Sequence, residues 1–233
     1  MHIVAFNSSP RDSDTSKTDR ILRKFLEGAQ RAGATSEIIP LREYKIKFCL
    51  GDLSCWFKNP GVCVQQDDMA ELLPKYGQAE MVVLATPIYF YTMNACLKNF
   101  LDRTVPIYDP SQELAEGEPI MATRYGRMPR LVTLSVAGGW LPDTFEPLSL
   151  TFNKCYGPHI VGEIYRNASE FLDLPQFQPL ALEIYQAAVQ AGEEVVKLGQ
   201  VQPATLATLT QELAPPETMK QLEKEFWLVE GEQ

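Results

Sequence analysis

The chain of 233 residues is 45% hydrophobic, enough to bury one sizeable core, and carries a formal net charge of −9. This acidity argues against nucleic acid and anionic membranes as partners, because both would repel the chain. No stretch reaches the roughly 20 apolar residues of a membrane helix, and the sequence opens on an apolar strand without a basic leader, so we expect a cytoplasmic protein.

The first predicted unit is a strand, a hydroxyl-rich loop and an amphipathic helix. Residues 2–6 form the apolar strand. The helix carries apolar residues on one face: Ile21, Leu22, Phe25, Leu26 and Ala29. The loop at 7–18, with six hydroxyl side chains and Arg11, ends at the helix N-terminus, where unpaired backbone N–H groups favour an anion. It therefore predicts a site for a single phosphate, although Ser16 to Asp19 also forms an ordinary capping box that needs no ligand.

Apolar and amphipathic stretches then alternate along the chain. Further strands are predicted at 37–39, 81–85, 131–136 and 159–165. Helices are predicted at 67–76, 93–104, 145–155 and 180–198. The run at 81–85 is uniformly apolar, as expected of a parallel strand covered on both faces. The alternation predicts an α/β fold, a doubly wound five-stranded parallel sheet in the order 2-1-3-4-5 with helices on both faces.

Several segments stand outside this alternation. Residues 86–89 contain a proline and are expected to end the third strand. Residues 42–65 are expected to be irregular, and 105–129 lack periodicity, as in a lid or contact loop. We expect residues 1–200 to form the main domain, and 201–233 to form a C-terminal helical extension that covers the core or a partner subunit.

Three loops are expected to meet at one edge of the sheet, because ligands of open parallel sheets bind beyond the strand C-termini, where the connection order reverses. They are 7–18, 86–92 with its aromatic residues 89–91, and 137–143 with two glycines and Trp140. One phosphate and one flat aromatic system would suit all three. The chain has neither a Gly-x-Gly-x-x-Gly nor a Walker lysine motif, which favours a mononucleotide. The aromatic residues alone would suit simple packing of a strand end.

The order of these segments, with Cys49 to Met69 and Leu97 to Arg103, resembles the flavodoxin-like NAD(P)H-dependent FMN reductases, in particular the branch that includes iron–sulfur flavoproteins. The resemblance implies a non-covalent FMN. Its phosphate would lie on Ser9, Arg11, Ser16, Lys17 and Thr18. Its ring would lie on Pro87, Ile88, Tyr89, Phe90, Gly138 and Gly139. This chain has Ser8 where many relatives have glycine, and its loop is longer.

The five cysteines are an odd number and fit a reducing compartment. Iron–sulfur members carry Cys-x-x-Cys-x-x-Cys and a fourth cysteine, because a four-iron cluster needs four thiolates. Here the series is Cys49, Asp52, Cys55 and Cys63. Carboxylate is a hard ligand that matches such a cluster poorly. We therefore expect no iron–sulfur cluster and no zinc, and three reduced thiols in a loop near the cofactor.

The resemblance implies an enzyme in which NAD(P)H delivers hydride to flavin N5, followed by transfer to a small acceptor such as a quinone, flavin, nitro or azo compound. No catalytic side chain is predicted, since this chemistry belongs to the flavin. Tyr89, Tyr91 and Tyr125 are hypothesised to line the acceptor space, and a homodimer or higher homo-oligomer is expected. Two alternatives remain open: an FMN-containing electron carrier that does not oxidise NAD(P)H, and a redox-sensing regulator that uses the cysteine loop.

Overall fold

The computed structural model describes residues 1–115 and 118–230. Its strands are β1 (His2–Asn7), β2 (Thr35–Pro40), β3 (Met81–Tyr89), β4 (Thr92–Met93), β5 (Tyr108–Ala115), β6 (Glu118–Thr123), β7 (Arg130–Val136) and β8 (Ile160–Arg166). Its α-helices are α1 (Lys17–Arg31), α2 (Ser54–Phe57), α3 (Met69–Gln78), α4 (Ala95–Asp102), α5 (Glu146–Tyr156), α6 (Gln178–Lys197), α7 (Pro203–Thr210) and α8 (Pro216–Glu230).

The central sheet has the parallel strand order β2-β1-β3-β7-β8, which confirms the predicted order 2-1-3-4-5. In its middle, Ala5 lies opposite Val83, and Val83 lies opposite Val132. All three are fully buried. Burial on both faces explains why these strands are apolar runs rather than alternating ones.

Helices α1 and α6 cover one face of the sheet and pack closely on each other. A Cβ atom at Gly28 would lie 1.7 Å from the carbonyl oxygen of Val189, and one at Gly192 would lie 1.9 Å from that of Phe25. Only glycine allows this approach of the two backbones. The opposite face buries apolar residues of α3, α4 and α5 against the sheet. The C-terminal helices add Leu209 and Met219 to the core under α1 and α6.

Two expectations about local structure were wrong. Residues 86–89 do not end the third strand, because Pro87 still pairs with Val136, and β4 gives the last two residues of β3 an antiparallel partner. Residues 105–129 are not one long loop, since β5 and β6 pair with each other. Pro110 and an irregular register after Tyr108 hide this hairpin from a periodicity argument. Residues 42–65 are largely irregular as predicted, apart from the end of a 3₁₀ turn at Leu41–Glu43 and the single turn of α2.

Within the described part of the chain, no helix combines the length and apolar character needed to cross a membrane.

Candidate functional site

The loops after β1, β3 and β7 come together at the C-terminal edge of the sheet, as expected of parallel strands. They enclose a small cavity of about 100 Å³. Nine of the predicted site residues line it: Ser9, Arg11, Ser16, Lys17, Thr18, Pro87, Ile88, Tyr89 and Gly138. A neighbouring cavity of about 340 Å³ is lined by the remaining two, Phe90 and Gly139, and shares Ile88 and Gly138 with the first. All eleven predicted residues therefore lie around one continuous depression.

The first cavity has a hydroxyl donor at the N-terminus of α1. Ser16 caps the helix, since its Oγ accepts a hydrogen bond from the Asp19 N–H at 3.0 Å. The Ser16 hydroxyl then donates to Ser9 Oγ at 2.8 Å, and the Arg11 N–H donates to the same oxygen at 3.3 Å. Because Ser9 Oγ accepts both bonds, its own hydrogen remains available to the cavity. The Ser16 N–H donates to the Asp12 carbonyl rather than to Asp19, so the loop forms an N-cap without the reciprocal bond of a capping box. This cap leaves the Ser9 hydroxyl hydrogen available to an anion.

Buried amide side chains hold the loop in place. The Asn7 amide donates to Asp19 at 2.8 Å, and Asn7 Oδ1 accepts from the Ser9 N–H at 3.0 Å. Asn94 joins two of the three loops, donating to the Ser8 carbonyl at 2.7 Å while its N–H donates to Thr86 Oγ1 at 3.2 Å. Asn94 is not among the predicted site residues, although an asparagine that caps α4 is a recognisable helix start.

Carboxylates from the turn after β8 pair with the cations of this cavity. Arg11 Nη1 lies 2.8 Å from Glu170 Oε1, and Asp173 binds both Lys17 and Arg20. Burial alone would raise the pKa of Asp173, but the hydrogen bonds from the two cations lower the pKa overall. A phosphate would compete with Glu170 for Arg11. These acids could not be predicted from the sequence, because more than 150 residues of chain separate them from their partners.

The second loop exposes its aromatic residues in a strained turn. Phe90 and Tyr91 both have positive φ, at 48° and 61°, and join β3 to β4. Positive φ at both central residues is typical of the two-residue turns of β-hairpins, and it costs non-glycine residues free energy. Phe90 is 101% exposed and Tyr91 54%, so these rings do not pack a strand end. The simple packing interpretation of these aromatic residues is wrong.

The third loop forms a low wall beside the ring-sized cavity. A Cβ atom at Gly139 would meet no atom within 4 Å, so this side is open. The loop is fixed by hydrogen bonds from the Ala168 N–H to the Gly139 carbonyl at 2.6 Å and from Ser169 Oγ to the Ala137 carbonyl at 2.9 Å. Trp140 Nε1 donates to Glu223 of α8 at 2.9 Å. Glu223 lines the second cavity and was not foreseen from the sequence.

The cysteine loop lies around a separate cavity of about 40 Å³ that includes Cys49, Asp52, Cys55 and Cys63. The Asp52 carboxylate accepts hydrogen bonds from the backbone N–H and the hydroxyl of Ser54, the first residue of α2, at 3.0 to 3.2 Å. Burial raises the pKa of Cys55. Because Asp52 takes the second position, the loop lacks the four thiolates of a four-iron cluster. Within residues 1–115 and 118–230, no group of three or more His, Cys, Asp or Glu is arranged to hold a metal ion.

Tyr125 does not lie at this site. Its ring packs on Gly77, where a Cβ atom would lie 2.4 Å from it. Gly77 is close to the C-terminus of α3, immediately before β3 begins. Tyr125 is therefore at the opposite edge of the sheet from Tyr89 and Tyr91, which line the two cavities.

Comparison with known proteins identifies the family of the chain. The profile of the family described as NADPH-dependent FMN reductase matches residues 1–132. A protein of Archaeoglobus fulgidus named iron–sulfur flavoprotein is 35% identical over 104 residues, covering 45% of this chain and 49% of the relative. One from Methanocaldococcus jannaschii with the same description is 31% identical over 107 residues, covering 46% and 53%. The chain thus spans about half the length of the curated relatives it matches.

Solved structures share the fold. An FMN-dependent NADH-azoreductase from Bacillus anthracis in complex with FMN has a TM-score of 0.61 at 17% identity, over 84% of this chain and 100% of that one. An NAD(P)H:quinone oxidoreductase from Methanothermobacter marburgensis has a TM-score of 0.59 at 17% identity, over 84% and 96%. The flavodoxin-like α/β fold is therefore confirmed, and with more than half of its length matched by the family profile, the chain belongs to the NADPH-dependent FMN reductase family.

Proposed function

We propose that the protein is an FMN-dependent oxidoreductase that passes hydride from NAD(P)H to a small acceptor. The observation that supports this most directly is the continuous depression at the C-terminal edge of the sheet. A narrow polar cavity at a helix N-terminus opens there into a wider one with an exposed aromatic turn. These two parts suit the phosphate and the ring of one mononucleotide.

The narrow cavity carries the donors that a phosphate needs. Ser9 offers its hydroxyl hydrogen, Thr18 a second hydroxyl, and the first turn of α1 its outward N–H groups. Arg11 lies at the rim and can turn from Glu170 to the phosphate. Lys17 balances charge while it stays bound to Asp173. These groups would hold the FMN phosphate without a large basic patch.

The wider cavity would hold the ring between the backbone of Pro87 to Phe90 and the Gly138–Gly139 loop. FMN, when bound, supplies the hydride-transfer chemistry. The chain positions it and limits the access of water. The open side at Gly139 leaves room for a flat partner, and the exposed Phe90 ring offers it an apolar contact. Acceptors in keeping with this space are quinones, flavins, nitro compounds and azo compounds.

The proposal also includes how the chain is divided into domains and how it assembles. Residues 1–200 form the FMN domain and 201–233 an extension, from which Glu223 reaches the wider cavity. We also propose that the protein is a homodimer or higher homo-oligomer in the cytoplasm and that NAD(P)H binds transiently as co-substrate. An iron–sulfur cluster is not part of the proposal, because the donor set at Cys49, Asp52, Cys55 and Cys63 does not match one.

The test begins with the visible spectrum of the purified protein and titration of apoprotein with FMN and with riboflavin. We expect a flavin spectrum and tighter binding of FMN than of riboflavin. Ser9→Ala should weaken FMN binding about tenfold, since a hydrogen bond to a charged group is lost. Ser13→Ala in the same loop is the matched control, because Ser13 lines a different cavity. Colourless protein that takes up no FMN would refute the proposal.

Anaerobic mixing of the FMN-loaded protein with NADPH or NADH then separates the reductase from its alternatives. Rapid bleaching of the flavin supports hydride transfer. Bleaching only by a reduced partner protein would contradict the reductase and support an electron carrier. Substitution of Cys49 and Cys55 should leave flavin reduction unchanged. Loss of flavin reduction in these variants would contradict the proposal that the protein only positions the flavin, and it would support a cysteine-based redox regulator.

A further inference from the structure

The wider cavity at the C-terminal edge of the sheet combines aromatic side chains with one carboxylate. Phe90, Tyr91 and Trp140 contribute aromatic rings to its lining, and Glu223 contributes the carboxylate. Within the part of the chain that the structure describes, Glu223 is the only charged residue in this lining. The proposed FMN ring uses the backbone of residues 87–90 and the two glycines of the third loop. These four side chains therefore remain available to the second substrate.

The Glu223 carboxylate keeps one oxygen available to a ligand. Its Oε2 accepts a hydrogen bond from the Trp140 indole N–H at 2.9 Å. Among the described residues, no group donates to Oε1, and no cation forms an ion pair with this carboxylate. The side chain is half-buried, so less water screens its charge than on an open surface. A ligand in the cavity would therefore meet a negative charge that the protein itself does not neutralise.

The aromatic side chains favour the same sign of charge on the ligand. Phe90 is 101% exposed and Tyr91 54%, so their rings are accessible. Trp140 is held by its bond to Glu223 and by the Asn167 amide, which donates to the Trp140 carbonyl at 3.0 Å. The faces of aromatic rings carry partial negative charge and attract cations, tryptophan most strongly. Aromatic rings beside a carboxylate are the groups by which proteins recognise quaternary ammonium ions.

The cations of the adjoining narrow cavity would not offset this preference. Arg11 lies 2.8 Å from a Glu170 oxygen, and Lys17 is bound to Asp173. The phosphate of FMN would add further negative charge beside them. The chain as a whole carries a formal net charge of −9. An anionic acceptor would therefore be repelled from the wider cavity, whereas a cationic one would be attracted to it.

We propose that the acceptor reduced by this protein is an organic cation: a flat redox-active ring system with a fixed positive charge, such as a quaternary ammonium group. The charge lies beside Glu223, and the flat body contacts the rings of Phe90, Tyr91 and Trp140. The inference rests on the proposed function, because it names the class of acceptor for the same site. For a quinone, NAD(P)H gives up a hydride and becomes NAD(P)⁺, and the quinone gains the hydride and one solvent proton to become the hydroquinone. The positive charge takes no part in this transfer.

The test compares three naphthoquinones that differ only at the end of a propyl side chain. The chain ends in a trimethylammonium, a tert-butyl or a sulfonate group, and its saturated carbons keep the reduction potential of the ring nearly constant. With FMN-loaded protein and NADPH or NADH, the cationic quinone should have a kcat/KM at least about tenfold above the neutral one. The sulfonate should fall below both. Equal kcat/KM values for the cationic and neutral quinones would overturn the proposal.

Variants of α8 separate Glu223 from the general acidity of the chain. Glu223→Gln removes the charge but keeps an oxygen that can accept from Trp140. The ratio of kcat/KM for the cationic and the neutral quinone should fall about fivefold or more in this variant. Glu225→Gln is the matched control, because it removes the same charge from an exposed residue of the same helix that does not line the cavity. An unchanged ratio in Glu223→Gln would contradict the assignment. The comparison of quinones on the wild-type protein decides even if this variant does not fold.

Binding of ligands that cannot be reduced distinguishes failure of this inference from failure of the proposed function. Calorimetry on the purified protein compares (2-naphthylmethyl)trimethylammonium with the neutral 2-naphthylmethanol and the anionic 2-naphthoate. The cation should bind at least about tenfold more tightly than either. If no quinone is reduced while the cation still binds selectively, the proposed function fails and the cation site stands. If the quinones are reduced while the three naphthyl compounds bind equally, the cation site alone is refuted.

Discussion

The pairing of Arg11 with Glu170 predicts that one carboxylate of this protein weakens FMN binding. Their side chains are 56% and 24% exposed and 2.8 Å apart. At such exposure the ion pair contributes about 0.2–1 kcal/mol, because solvent and salt screen it. Glu170→Gln removes this competition for Arg11 and also a negative charge beside the phosphate. Together we expect a gain of about 1 kcal/mol, which corresponds to about fivefold tighter FMN binding.

The assay is fluorescence titration of apoprotein with FMN at low and high salt. The gain should shrink at high salt, and riboflavin affinity should not change, since riboflavin lacks the phosphate. Glu183→Gln on the exposed side of α6 is the matched control, because it removes the same charge from a residue that lines neither cavity. FMN affinity that is unchanged or lower in Glu170→Gln, with Glu183→Gln behaving as wild type, would refute the reasoning.

Three further outcomes follow from the same structure. Asn94→Ala removes the cap of α4 and the hydrogen bond to the neighbouring loop, so the free energy of unfolding should fall by about 2 kcal/mol and Tm by about 4–8 °C. FMN binding should also weaken, and an unchanged Tm in calorimetry would contradict this prediction. Gly28→Ala should prevent stable folding because its Cβ would overlap the Val189 carbonyl, whereas Gly139→Ala, placed in open space, should melt like wild type by circular dichroism. The pKa of Asp173 is lowered in the folded protein, so its ion pairs stabilise the fold at pH values above its ordinary pKa of 3.8, and this stabilisation is lost as the pH falls. In Asp173→Asn, the free energy of unfolding measured with urea should therefore fall less steeply with acid than in the wild type. An unaltered acid dependence would contradict this prediction.

The parallel core could be predicted from the sequence because burial on both faces leaves an unmistakable composition. The run from Met81 to Ala85 is apolar throughout, and its partners in β1 and β7 are apolar apart from Asn7, Arg130 and Thr133. The loop residues of the candidate site could be placed for a related reason. Once the strand order is known, the loops after β1, β3 and β7 must meet at one edge.

Contacts between distant parts of the chain could not be predicted in this way. Glu170 and Glu223 reach the candidate site from segments that have no sequence pattern in common with it. Proline lacks an N–H donor and so predicts the end of a strand at Pro87, but the turn at Phe90 and Tyr91 supplies an antiparallel partner beyond it. In the part of the chain that the structure describes, β5 and β6 form a two-stranded sheet of their own, so the order of the parallel strands gives no information about them.

The bond between Trp140 and Glu223 makes the last helix part of the wall of the ring-sized cavity. When α8 detaches from the rest of the protein, the cavity loses that wall in the same local opening event. A ligand that binds only the closed form lowers the population of the open one by mass action. Occupancy of the cavity would accordingly slow amide hydrogen exchange and proteolytic trimming at the carboxyl-terminal end of the chain, although the ligand itself sits on the loops of the sheet.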